Sequence, residues 1–294
     1  MSRPLPLALV QDAAQPAGDL APFASRLEKL TLAHPDAQLF VYPELHLAGA
    51  GENQSEGELA LASAEALDGP RGRALSELAG DLKLWLAPGS VYERGQDGQI
   101  YNTAVVYSPE GRLAASYRKV FPWRPYEKVV PGSKFVVFDM AGFGRVGLSI
   151  CYDAWYPESS RHLAWMGAEL ILNVVKTPTA DRAQEVVLAR ANAIVNQVFM
   201  ASVNAATPDG LGRSLLVDPQ GRVLVEADGA TPMVLSDVID LDGVANVRKH
   251  GTAGVSRPWQ QFHPTDAPLE LPLYSGKIDP LVWMNTPEQD EQGN

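Results

Sequence analysis

The stretch Arg145-Val146-Gly147-Leu148-Ser149-Ile150-Cys151-Tyr152-Asp153, continued by Ala154-Trp155-Tyr156-Pro157-Glu158, decides how the chain reads. It runs apolar and β-branched into the only cysteine of the chain, then meets a polar, aromatic corner before Ser159 to Gly167, whose pattern is helical. A strand end therefore delivers one thiol to a strand-to-helix turn, where unpaired backbone N–H groups can stabilise a thiolate and later an oxyanion. A lone cysteine is also a common filler of cores. The segment alone leaves both roles open.

The rest of the chain narrows the class. With 294 residues, 46% hydrophobic and 20% charged, it can bury a large core as one domain, or at most two. A net charge of -11 argues against nucleic acid or an anionic membrane surface as partner, because either would repel it. One cysteine rules out an internal disulfide, in keeping with a reducing compartment. Met1 to Val10 is broken by Pro4 and Pro6 and makes no secretory h-region, and no window approaches the ~20 apolar residues of a membrane span. The expectation is a cytoplasmic protein.

Short apolar runs recur along the chain: Leu5 to Val10, Gln38 to Tyr42, Leu84 to Tyr92 with a kink at Pro88-Gly89, Asn102 to Tyr107, Leu113 to Tyr117, Phe135 to Met140, Arg145 to Ile150, Leu170 to Val175 and Val198 to Asn204. Ser214 to Val217, Val223 to Ala227 and Val234 to Ile239 follow. Helical spacing marks Leu20 to Leu30 behind Asp19, Gly69 to Leu82, and Asp181 to Gln197, in which Val187, Ala191 and Ile194 share a face. Ala48 to Gly57 and Val120 to Ser133 read as loops. Strands and helices come in pairs rather than in strict alternation. An α/β fold of two sheets with helices on the outer faces, a four-layer α-β-β-α sandwich, accounts for strands this apolar. After about His250 regular patterns stop, so residues 1–250 form the domain and 251–294 a proline-punctuated tail. Its Trp259, Phe262, Leu273, Tyr274, Leu281 and Trp283 call for docking, preferably at a subunit interface.

Three ionisable residues stand at strand ends: Glu44, Lys119 and Cys151. If those strands are neighbours running the same way, the side chains converge at one edge of a sheet. Together they suit acyl transfer: Cys151 attacks a carbonyl or nitrile carbon, Glu44 moves the proton, and Lys119 and the Tyr152 N–H face the oxyanion. No metal or cofactor is needed. Taken singly, Glu44 and Lys119 read equally as solvated strand ends. Glu127 is either an idle loop carboxylate or a second acid that places the lysine. His34, His46, His162, His250 and His263 make no zinc set, and nothing beside His46 suggests a Cys-His pair.

Pro43-Glu44-Leu45, Tyr117-Arg118-Lys119 with Pro131-Gly132, and Gly147-Leu148-Ser149-Ile150-Cys151-Tyr152-Asp153 with Tyr156-Pro157-Glu158 resemble, in order, the three signature blocks of the nitrilase superfamily, the carbon–nitrogen hydrolases. The likeness spans residues 5 to 245. It implies an α-β-β-α sandwich, a Glu-Lys-Cys triad at Glu44, Lys119 and Cys151, a second glutamate at Glu127, and a homodimer or larger homo-oligomer with the tail at an interface. Cys151-Tyr152-Asp153 is similar to the amidase branches rather than to true nitrilases. Ala154 and Trp155 stand where relatives that take anionic substrates carry an arginine, which favours a neutral or aryl-bearing amide, with Trp123, Tyr152 and Trp155 as pocket candidates and Arg124 as a group that could meet an acid. The expected activity is hydrolysis of a small-molecule carboxamide to an acid and ammonia. Alternatives are a nitrilase or N-carbamoyl hydrolase of the same superfamily, and a catalytically idle binding subunit.

Overall fold

Alternation along the strands sorts the chain into layers. In the strand Pro4–Gln11 (β1), Leu5, Leu7 and Leu9 join one apolar cluster while Ala8 and Val10 join another, and all are buried. A strand buried on both faces needs a cover on each side. The structure, a computed structural model, describes residues 2–49, 55–279 and 282. After β1 come Ala21–Ala33 (α1), Leu39–Val41 (β2), Glu56–Ser63 (α2), Pro70–Leu82 (α3), Trp85–Ala87 (β3), Ser90–Arg94 (β4), Ile100–Tyr107 (β5) and Leu113–Arg118 (β6). The second half holds Val137–Met140 (β7), Gly144–Ile150 (β8), Pro157–Trp165 (α4), Leu170–Val175 (β9), Arg182–Asn196 (α5) and Phe199–Asn204 (β10). Leu215–Val217 (β11), Val223–Glu226 (β12), Met233–Asp240 (β13), Asp242–His250 (α6), Leu269–Leu271 (β14) and Gly276–Ile278 (β15) complete it.

One sheet has the order β13-β1-β2-β3-β5-β4 with β6 on β5, and the other runs β12-β11-β10-β9-β8-β7. Leu7, Leu9, Val41 and Tyr117 of the first meet Leu148, Ile150, Leu172 and Val203 of the second in the central core. On the outer face of the first sheet, Phe40 and Leu86 receive Phe23 and Leu27 of α1 and Leu75 and Ala79 of α3. On that of the second, Ile171 and Met200 receive Leu163 of α4 and Ala189 and Ala193 of α5. Four layers, α-β-β-α, follow. Each fully buried leucine contributes about 1.5–3 kcal/mol. Among the described residues no helix is long and apolar enough to cross a membrane.

Several expectations need revision. Glu56 and Gly57 open helix α2 rather than closing a loop, because Ser55 and Glu58 form a reciprocal capping box; the middle of that expected loop, 50–54, lies outside the described residues. α6 ends at His250, but short regular elements, β14 and β15, follow in the tail where no regular pattern is expected. On α5 the buried face is Val186, Ala189 and Ala193, while Val187 and Ile194 are exposed. The start of the tail rests on its own chain: the Trp259 indole donates to the Asn196 carbonyl at 3.0 Å and lies under the Arg248 guanidinium. Leu273 and Tyr274 are exposed, with Tyr274 hydrogen-bonded to Glu158, and the expectations for Leu281 and Trp283 fall outside the described residues.

Two local devices aim the loops that follow β2 and β8. Gly89 holds φ +92, and an added Cβ would lie 1.7 Å from the Pro43 carbonyl oxygen. Only glycine lets β3 turn there while touching the residue before Glu44. The second device is Asp153, fully buried, which accepts hydrogen bonds from Ile150 N–H (2.9 Å), Phe121 N–H (2.9 Å) and Tyr117 O–H (2.8 Å). It ties the end of β8 to the end of β6 and to the loop beyond it, and Phe121 stacks on Tyr156 at 3.8 Å across the same joint. Burial pushes the Asp153 carboxyl up to about 6, against the pull of Lys119 and of its donors.

Gly89→Ala is expected to destabilise the protein by about 2–4 kcal/mol through backbone collision and strain, read by urea unfolding; an unchanged midpoint would contradict the close approach. For Asp153 the folded carboxyl binds its proton more tightly than the unfolded one, whose pKa is about 3.9. Its contribution to stability is therefore complete below about pH 4 and lost as pH rises through about 6, a change of about 2–3 kcal/mol. Asp153→Asn cannot titrate, so its unfolding free energy is expected to be lower at neutral pH, since the amide NH2 faces a donor, yet flatter between pH 4 and 6. Parallel pH profiles for the two proteins would contradict this.

Candidate active site

Glu44 follows β2, Lys119 follows β6 and Cys151 follows β8. The first two strands belong to one sheet and β8 to the other. The three residues thus gather between the ends of two sheets, and not along one sheet edge as the strand ends alone suggested. β2 and β6 are separated by β3 and β5, but β2 and β3 are parallel and β5 is antiparallel to both β3 and β6. β2 and β6 therefore point the same way and deliver their terminal side chains to the same end.

Lys119 is 2% exposed, and its ammonium donates to Glu44 Oε1 at 2.9 Å and to Glu127 Oε2 at 2.7 Å. Glu44 and Glu127 are buried as well. Asn102, in the middle of the first sheet on β5, donates one amide hydrogen to Glu44 Oε1 and one to Glu127 Oε1, each at 2.8 Å. Its two N–H groups keep the like-charged carboxylates apart. Glu127 Oε2 also accepts from the Trp123 N–H at 2.9 Å, which fixes the aromatic loop over the site. Burial alone would push the ammonium down, but Glu44, Cys151 and Glu127 together hold Lys119 well above the ordinary lysine value. Burial acts on Glu127 as well, yet Lys119 and Asn102 hold it below the ordinary carboxylate value. The lysine therefore stays charged, suited to stabilising charge and not to taking protons.

Cys151 is half-buried and adopts φ +46, a left-handed conformation unusual for a residue with a Cβ. That bend stops β8 and starts the 3-10 turn Cys151–Trp155, whose first N–H groups have no partner within the turn. Burial and Glu44 push the thiol well above its ordinary value, opposed by Lys119, so the sulfur rests protonated. Among the described residues, both hydrogen bonds to Glu44 fall on Oε1 and none on Oε2.

A small cavity of about 30 Å³ opens beside the sulfur, walled by Trp123, Tyr152, Lys176, Thr177 and Glu185 among others. Trp123 and Tyr152 thus line the space beside the sulfur. Arg124 is exposed on its loop, and Trp155 lies against Tyr152, ring centres 5.9 Å apart; neither is part of this wall. Asn102, Asp153, Thr177 and Glu185 were not singled out as functional from the sequence. The available signal was polar residues within or just beyond apolar strands, which must be paired if buried. His46 packs at a tilt against Tyr42, ring centres 4.8 Å apart, in the layer below α1, and burial lowers it to about 3, so it is a neutral core residue. Among the described residues no three His, Cys, Asp or Glu side chains form a group able to hold a metal ion.

Residues 6–249 match the model of the family described as carbon-nitrogen hydrolase. The chain is 33% identical over 202 residues to the omega-amidase NIT2 of Homo sapiens, covering 63% of this chain and 72% of that protein. It is 37% identical over 220 residues to an (R)-stereoselective amidase of Pseudomonas sp., covering 71% and 76%. It superposes on the amidase from Nesterenkonia sp. in complex with butyramide with a TM-score of 0.71 and 27% identity, covering 84% of this chain and 95% of that one. A structure of a mutant of that amidase, with a TM-score of 0.66, 27% identity and coverage of 84% and 94%, carries the acetamide moiety of fluoroacetamide on its active-site cysteine. By its matched span, its layered fold and its amidase relatives, the chain belongs to the carbon–nitrogen hydrolase family of the nitrilase superfamily, and is a hydrolase acting on carbon–nitrogen bonds.

Proposed function

We propose that the protein hydrolyses a small carboxamide to a carboxylic acid and ammonia through a thioester on Cys151. The observation that carries this reading is the buried Lys119 ammonium held between Glu44 and Glu127 and within electrostatic reach of the Cys151 sulfur. Such an arrangement is costly to build and of no use to a binding subunit. The thiol proton passes to Glu44 Oε2 as Sγ attacks the amide carbon. The oxyanion is met by the Lys119 Nζ and the Tyr152 N–H. Glu44 then gives its proton to the nitrogen, the C–N bond breaks and ammonia leaves. Water attacks the thioester, its proton going to Glu44, and collapse of that intermediate returns a proton to Sγ and releases the acid. Glu127 stays ionised throughout and holds Lys119 in place.

The size of the cavity favours a short acyl chain. A second reading, an acyl chain ending in a carboxylate, is favoured by Lys176, whose side chain lines the same cavity with Asp209 3.8 Å from its ammonium. The exposed Val187, Ile194 and Val195 of α5 support a homo-oligomer in which a second copy covers that face.

Wild-type protein is expected to release ammonia from short aliphatic amides, and Cys151→Ala to show none while keeping its unfolding midpoint. Turnover retained in that variant would sink the mechanism, and no turnover by the wild type on amides, nitriles or N-carbamoyl compounds would favour a non-catalytic role. Asn102→Leu removes the spacer between two carboxylates and is expected to lower kcat at least tenfold and to cost about 2–4 kcal/mol of stability, because buried acceptors lose their donor. Lys176→Met separates the two substrate readings: KM should rise for an ω-amido acid and stay unchanged for propionamide if the carboxylate reading holds, and stay unchanged for both if it does not.

A further inference from the structure

The proposed mechanism engages Cys151 with Glu44 and Lys119, yet the hydrogen-bonding neighbour of its sulfur lies elsewhere. Among the described residues it is the Thr177 hydroxyl, 3.6 Å from Sγ. Thr177 stands just beyond β9, the parallel neighbour of β8, and its backbone is gripped from both sides by Asn204, which accepts from the Thr177 N–H at 2.9 Å and donates to its carbonyl at 3.2 Å. The threonine has little freedom to move.

Behind it runs a buried polar chain. The Thr177 hydroxyl donates to Glu185 Oε1 at 2.9 Å, and Glu185 Oε2 accepts from Arg182 Nη1 at 3.2 Å. Arg182 is 1% exposed and also donates to the Gly212 carbonyl (3.0 Å), the Arg213 carbonyl (2.9 Å) and Ser202 Oγ (3.1 Å). A guanidinium does not lose its proton in proteins. Buried this deeply it needs an ionised partner, and Glu185 is the carboxylate that supplies one.

Proton counting along the chain then fixes the direction of each bond. An ionised carboxylate only accepts, and a threonine has one O–H to give. That hydrogen goes to Glu185. What Thr177 turns toward the sulfur is a lone pair, so the donor in this contact is the thiol. We propose that Thr177 is a positioning residue for the nucleophile: oriented by Glu185 and Arg182, its hydroxyl accepts the Cys151 S–H and holds the resting sulfur in place, with the thiol hydrogen pointed at Thr177 rather than at Glu44. Rotation about the Cβ–Sγ bond swings that hydrogen to Glu44 Oε2 when an amide arrives, without displacing the sulfur. This rests on the reading of Cys151 as nucleophile, but its test does not require turnover.

Cys151 is the only cysteine of the chain, so the protein has a single S–H stretching band in the infrared. In the wild type the band is expected at the lowered frequency of a hydrogen-bonded thiol. Thr177→Val, nearly isosteric, should move it up to the frequency of a free thiol, and Thr177→Ser should leave it where it was. If the valine variant does not fold, Thr177→Ala is read in the same way. A band that does not move on loss of the hydroxyl, or a wild type with no S–H band because the sulfur is a thiolate, would overturn the proposal. The loss of turnover in Cys151→Ala tests the underlying mechanism separately, so the two ideas can fail independently.

Discussion

The structure turns on one buried cation. Placing an ammonium where Lys119 lies costs several kcal/mol in lost hydration, and nothing about a strand end requires it. The cost is offset by Glu44 and Glu127, both within 3 Å. Two carboxylates that close would repel each other without the lysine, and the lysine would be driven out without them. Asn102 closes the arrangement by presenting one N–H to each acid. No member of this set is tolerable alone in an apolar sandwich: Glu44 and Lys119 stand just past β2 and β6, Asn102 on β5 and Glu127 on the loop after β6.

Those segments explain the layered fold as a support. A site fed from one sheet edge could draw only on strands that lie side by side. A site between two sheets draws Glu44 and Lys119 from one and Cys151 from the other, and is closed by the loop that carries Trp123 and Glu127. The joints between these pieces are short and specific: Gly89 against Pro43, Asp153 against Phe121 and Tyr117, Phe121 against Tyr156. Asp153 also explains how Cys151 can sit in a left-handed backbone conformation costing about 1–2 kcal/mol. Its bond to the Ile150 N–H holds the residue before the bend while the 3-10 turn holds the residues after it.

Much of this was legible before any coordinates. Strands β1, β8 and β9 announce themselves by apolar runs ended by polar residues, and the ends of β2, β6 and β8 carry Glu44, Lys119 and Cys151 in plain view. What a sequence does not carry is which sheet a strand joins. Hence the convergence was expected on one edge and is found between two sheets. Helix α2 was hidden because its glycine and small residues resemble a loop, although Ser55 and Glu58 mark its start. The exposed Val187 and Ile194 mark a face of α5 as clearly as buried residues do, and periodicity alone does not say which face turns inward. Asn102, Thr177 and Glu185 were harder: a polar residue in an apolar run declares that it has a partner, and says nothing of who the partner is.

The charges at the site finally constrain the order of chemical events. Glu127 is held ionised and Lys119 protonated at the site, and Glu44 is a second carboxylate against the same ammonium. A thiolate would add a further negative charge, in surroundings that push the Cys151 thiol up through burial and through Glu44. In the mechanism proposed above, the proton therefore leaves as the carbon–sulfur bond forms, because ionising the sulfur first would be costly. In that proposed mechanism, Glu44 becomes neutral on taking the proton, and its hold on Lys119 weakens at the moment the oxyanion appears. Glu127, which Lys119 and Asn102 keep ionised against its burial, stays in place as the fixed counter-charge. On that proposal one carboxylate takes the proton and the other does not, so the ammonium is handed from Glu44 to the developing oxyanion without moving.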